Sequence, residues 1–128
     1  MKQLRDNGIS LYASNFLNTY ARYFNTKHNR KGHLWADRFK NVPIESDEQL
    51  LHLSRYIHLN PVSAGLVNDA GKWKYSSYAE YITPELIAYP LCDFRDLIKE
   101  SPKNYRVFVS DRAEYQRKLA KIKKLAIV

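Results

Sequence analysis

The chain holds a single cysteine, only four glycines, and no uncharged apolar run near the ~18 residues that a membrane span requires. With Cys92 alone, an internal disulfide and a multi-cysteine zinc site are both excluded, which fits a reducing compartment. The opening MKQLRDNGIS lacks the apolar core of a secretory leader, so export by the usual route has no support and no membrane partner is expected. A His-x-His pair is also missing. The four histidines, His28, His33, His52 and His58, are too scattered to replace one.

What is abundant is positive charge and aromatic surface. Over 128 residues, 45% hydrophobic and 27% charged side chains place the chain among globular proteins and exclude disorder over most of its length. Twenty-one Lys and Arg against thirteen Asp and Glu give a net charge of +8, and ten tyrosines accompany two tryptophans. Cations for phosphates and flat rings for bases suggest a polyanionic partner; the alternative is a solvated basic protein with a Tyr-rich core. The charge is segregated: residues 1–40 carry a net +6, residues 41–100 a net −4, and residues 101–128 a net +6.

Three- and four-residue spacings of Tyr12, Phe16, Leu17, Tyr20, Tyr23 and Phe24 predict an amphipathic helix over Ile9–Phe24. A basic loop follows over Asn25–Gly32, and His33–Ile44 reads as one or two extended segments, with Pro43 limiting pairing. Ser46 and Gln49 form a capping box with Asp47 and Glu48 at the positive end of the dipole, so a helix opens there. It should end at Asn60, because Pro61 disfavours helical geometry in the residue before it. Residues 61–72 read as a turn, KWKYSSYAEY leads into a short helix, and Leu91–Glu100 and Lys103–Leu125 are two further helices.

On the capped helix, Leu50, Leu53 and Ile57 share one arc and are expected to face the core. Tyr56 and Asn60 lie on its border, with His52 one turn before Tyr56. Tyr56 is either a core-edge tyrosine beside a capping Asn60, or a phenol held rigidly for chemistry.

Four blocks in order, YARYFNTKHNRKGHLWADRFKN, SDEQLL, RYIHLNPVSAGLV and KWKYSSYAEY, resemble the REP-associated tyrosine transposases of the insertion-sequence-200-like single-tyrosine family, from about Tyr12 to Tyr81. The resemblance implies an α+β fold. Residues 1–82 would be the later part of a ferredoxin-like transposase domain, mostly helical with one or two short strands. Residues 83–128 would form a helical, basic C-terminal extension. It implies single-strand DNA cleavage and joining, with Tyr56 attacking a phosphodiester to leave a phosphotyrosine on the 5′ side and a free 3′ hydroxyl. A phenol with pKa ~10 is a poor nucleophile at neutral pH, and the family uses a divalent cation, Mg²⁺ or Mn²⁺, to activate the phosphate. Asn60, and less readily His52, matches the ligand that the family places on the tyrosine helix. The family's histidine pair lies upstream of the matched segment. The chain therefore reads as a truncated gene, an internal start or a designed fragment that does not cleave by itself; the alternative is a catalytically dead DNA-binding remnant.

The implied partner is DNA, as single strands or hairpin ends, in a cytoplasmic, nucleoid-associated bacterial setting. Arg22, Lys27, Arg30, Lys31, Arg38 and Lys40 cluster around Trp35 and His33 as candidate DNA contacts. Trp35 either stacks on an unpaired base or packs in the core, and Arg38 either binds phosphate or leans on Trp35. Arg55 either holds the scissile phosphate or is an ordinary surface arginine. The Lys118–Lys124 run reads as a solvated helix end that strengthens nonspecific binding. Helices without their sheet would expose apolar faces, so homodimerisation or other association is expected.

Overall fold

Five α-helices carry most of the regular structure in the computed structural model, which describes residues 1–126 apart from the side chains of Lys124 and Ala126. They are α1 (Gly8–Lys27), α2 (Asp47–Ser63), α3 (Tyr78–Ile82), α4 (Pro102–Ser110) and α5 (Ala113–Ala126). The last two residues of the expected 83–128 extension lie outside the described residues. No strand occurs among the described residues, which overturns the α+β, ferredoxin-like expectation. An extended segment becomes a strand only where a neighbour completes its ladder, and residues 33–44 are irregular. Trp35 instead sends its indole N–H to the Leu17 carbonyl of α1 at 3.1 Å. No described helix is long and apolar enough to cross a membrane.

The chain divides into two compact units, Met1–Pro43 and the residues from Ile44 onward. The expected division at 82/83 runs through a shared core, since the Tyr81 and Phe94 rings stack at 3.7 Å and Tyr105 lies 4.9 Å from Tyr81. In the first unit, α1 follows the apolar periodicity and runs on through Lys27, three residues into the expected loop. Past its end Asn29 takes a positive φ of 50°, and the Asn25 amide donates to the Gly32 carbonyl at 2.9 Å, folding the basic loop back. Only Ala13 of α1 is buried; Tyr12, Phe16, Tyr20 and Tyr23 remain exposed.

The second unit is built around α2. Its first turn opens as the capping pattern requires, the Gln49 N–H donating to the Ser46 hydroxyl at 3.1 Å. Gln49 reaches back to the Glu45 N–H rather than to that of Ser46. The helix does not stop at Asn60. It runs through Pro61 to Ser63 and closes in a Schellman motif, with Leu66 N–H donating to the Pro61 carbonyl at 2.9 Å and Gly65 N–H to Val62 at 3.1 Å. Gly65 has a φ of 74°, which only glycine adopts freely. Proline's missing N–H costs one helical bond near the end, where those two bonds satisfy other terminal carbonyls.

The buried side of α2 is only partly the predicted one: Leu50 packs against the core as expected. Leu53 and Ile57 are exposed, whereas Ser54, His58, Leu59 and Val62 are buried. The helix is turned by one residue's step, about 100°. The cause is a polar and aromatic core contributed by later segments. His58 Nδ1–H donates to the Tyr105 hydroxyl at 2.8 Å, Tyr105 donates to Ser54 Oγ at 2.8 Å, and the Ser77 hydroxyl donates to His58 Nε2 at 3.0 Å. Around this chain pack Leu59, Val62, Ala70, Tyr78, Ile98 and Val109.

Two other helices differ from expectation. Leu91–Glu100 forms only a single turn, because the buried Glu80 carboxylate captures the Leu91 and Cys92 N–H groups, the latter at 2.8 Å, and holds the chain extended there. The stretch Lys103–Leu125 breaks at Asp111 and Arg112 into α4 and α5, so that α4 buries Tyr105 and Val109 while α5 packs along α2.

Burial pushes the His58 imidazole down from 6.5 to about 4, so the folded chain holds it neutral. The unfolded chain takes up the proton first as pH falls. The stabilisation is therefore complete above about pH 6.5 and is lost toward pH 4. Urea unfolding should show roughly 2 kcal/mol of stability lost between about pH 7.5 and pH 5. A flat profile over that window would place His58 in solvent.

Candidate nucleic-acid interface

The turn of α2 that buries His58 carries Tyr56 to the side facing α5. There the two helices leave a cleft of about 490 Å³, lined from α2 by Arg55, Tyr56 and Asn60, from the α4–α5 turn by Arg112, and from α5 by Gln116 and Lys123. Tyr56 is 49% exposed and Asn60 is exposed, so neither is a core residue. The Gln116 amide donates to the Tyr56 main-chain carbonyl at 3.2 Å and ties α5 to this turn of α2. His52 sits at the edge of the same cleft. Among the described residues, three cations face it and no carboxylate lines it.

Arg55 is not an ordinary surface arginine. Its guanidinium lies 4.0 Å from the centre of the Phe108 ring and donates to His52 Nδ1 at 2.7 Å and to the Phe108 carbonyl at 3.4 Å. Partial burial lowers its pKa, and the neighbouring Arg112 lowers it further. The contact settles His52 as well: with Nδ1 accepting from Arg55, its Nε2 side faces Glu48 at 3.7 Å.

This arrangement bears on the expected Mg²⁺ or Mn²⁺ site. Asn60 offers one oxygen to the cleft, but the His52 ring nitrogen facing inward is engaged by a cation. No group of three or more His, Cys, Asp or Glu among the described residues is placed to hold a metal. An oxygen-preferring ion takes six or so ligands. The residues present do not fit it, and no reaction step through a metal follows for this chain.

The other expected DNA contacts, Arg22, Lys27, Arg30, Lys31, Trp35, Arg38 and Lys40, belong to the first unit. Several are engaged locally. Lys27 donates to the Tyr23 hydroxyl at 3.1 Å, Arg30 lies over the Phe24 ring at 5.7 Å, and Lys40 pairs with Asp37. Trp35 packs beside Tyr20 at 5.9 Å yet stays 42% exposed, so one part of the indole is covered and another is open. With Arg38, Trp35 lines a shallow groove of about 1050 Å³ along α1. Arg22 and Lys31 are exposed.

The α5 contribution to the cleft was missed in the sequence. Its signal is nonetheless there: Gln116, Ala120 and Lys123 fall at spacings of four and three, one face of a helix, and Arg112 lies four residues before Gln116. No protein-family model, no curated protein and no solved structure matches the chain.

If Tyr56 is a cleft residue, its hydroxyl adds little to folding. Tyr56→Phe should change the unfolding free energy by under about 0.5 kcal/mol, whereas Leu59→Ala, at 1% exposure in the core, should cost about 2–5 kcal/mol. Comparable losses in the two variants would put Tyr56 in the core.

Proposed function

We propose that this chain holds a DNA strand as part of a single-tyrosine transposase, seating it in the α2–α5 cleft with the Tyr56 phenol beside the backbone. The observation that carries the reading is that the residue matching the family's nucleophile is half-exposed in a cleft whose walls, among the described residues, carry three cations and no carboxylate. Phosphates favour such a lining, because each neutralised phosphate releases condensed counterions. Tyr56 and Tyr115 offer ring faces in the same cleft for unpaired bases. A role on DNA in the bacterial cytoplasm belongs to the same proposal.

A second reading, a binding remnant without chemistry, is favoured by the engagement of His52 with Arg55, which removes a metal ligand from the cleft. Both readings require strand binding; they differ in whether Tyr56 ever becomes joined to DNA.

Fluorescence anisotropy with a hairpin oligonucleotide should show affinity falling as salt rises, with a log–log slope of about −2 or steeper from three cleft cations at ~0.7 each. Affinity independent of salt contradicts the proposal. Incubation of the same complex with Mn²⁺ should give no covalent adduct from this chain alone. An adduct lost in Tyr56→Phe would instead show that the chain completes its own chemistry.

A further inference from the structure

Arg55 on α2 and Arg112 in the turn before α5 both reach the cleft. Neither forms an ion pair among the described residues. Each guanidinium is steadied by an aromatic ring, Arg55 by Phe108 at 4.0 Å and Arg112 by Tyr115 at 5.3 Å. Rings fix the planes of such groups without using up their N–H donors. Arg55 spends two donors on His52 and the Phe108 carbonyl, and its other N–H groups have no acceptor among the described residues. Asp111 attracts Arg55, but less strongly than Arg112 repels it. Two like charges held near each other, one partly desolvated, are unfavourable unless an anion sits between them.

We infer that Arg55 of α2 and Arg112 of the α4–α5 turn together form a two-guanidinium seat for one phosphate group, which makes the C-terminal segment a working part of the binding site. The assignment rests on the strand-binding reading for its biological ligand, a phosphate of DNA, while the seat itself is defined by phosphate chemistry alone. Paired forks can bind the oxygens of one phosphate bidentately, a geometry that lysine does not reproduce. Beside the seat lies Tyr56, next in sequence to Arg55, so a strand held there places a phosphodiester along the phenol. Lys123, further along α5, lines the same cleft for a neighbouring phosphate. The basic helix end thus acts at a defined place and not only as diffuse charge.

The test uses the full chain with two probes. Inorganic phosphate, replacing chloride at constant ionic strength, should shift the side-chain Nε–H resonances of both Arg55 and Arg112, and Arg112→Gln should abolish the response of Arg55. With a single-stranded oligonucleotide, Arg112→Gln should weaken binding about tenfold and reduce the salt slope by about 0.7. Arg117→Gln, which removes the same charge five residues further along but outside the cleft, should change affinity less than threefold. Circular dichroism confirms that both variants keep their helices. If phosphate moves neither arginine, or if the two variants lose affinity equally, the seat is overturned while strand binding stands. If phosphate moves both arginines but no oligonucleotide binds, the seat is upheld and the strand-binding reading fails.

Discussion

The contact between His58 and Tyr105 sets the rotation of α2, and the rotation of α2 sets everything that faces the cleft. A histidine with both ring nitrogens satisfied, one by a buried phenol and one by a serine, can be buried neutral without leaving an unpaired polar atom. Moving α2 back to the arrangement suggested by Leu50, Leu53 and Ile57 would expose that pair. The apolar surface regained would be modest, because Leu59 and Val62 would leave the core at the same time. Tyr56 therefore reaches α5 as a consequence of where His58 is held, two residues and about 200° away.

The parts of the fold that were legible in the sequence are those decided locally. The Ser46 cap, the body of α1 and the short helix after Tyr75 each follow from residues within a few positions of one another. The parts that were not legible depend on partners far along the chain. Periodicity on α2 pointed to its leucines, but the aromatic surface that decides the matter comes from Tyr78, Tyr81 and Tyr105, and no spacing within α2 announces it. Leu91–Glu100 has helical composition, yet the Glu80 carboxylate offers its main chain better partners. The rule that a helix stops before proline was overridden by Gly65, five residues beyond Asn60, through the Schellman closure.

The candidate site shows the same division. Tyr56, Asn60, Arg55 and His52 were read from one helix and do lie together, since helical spacing guarantees it. The opposing wall was invisible until α5 was separated from α4. The strand expectation failed for a related reason: a strand needs a neighbour, and residues 33–44 find α1 instead. What the fold leaves uncovered is substantial. Leu53 and Ile57 on α2, and the aromatic face of α1 within its own unit, remain exposed, as expected for helices whose apolar surface exceeds what these segments can bury.

Tyrosine nitration followed by mass spectrometry tests the central claim most directly, because it reads the orientation of α2 and the use of the cleft in one experiment. The account predicts that free protein is nitrated at Tyr56 and not at Tyr105, and that a saturating single-stranded oligonucleotide protects Tyr56. Modification of Tyr105 with Tyr56 spared would contradict the rotation of the helix, and undiminished labelling of Tyr56 in the saturated complex would contradict its place beside the strand.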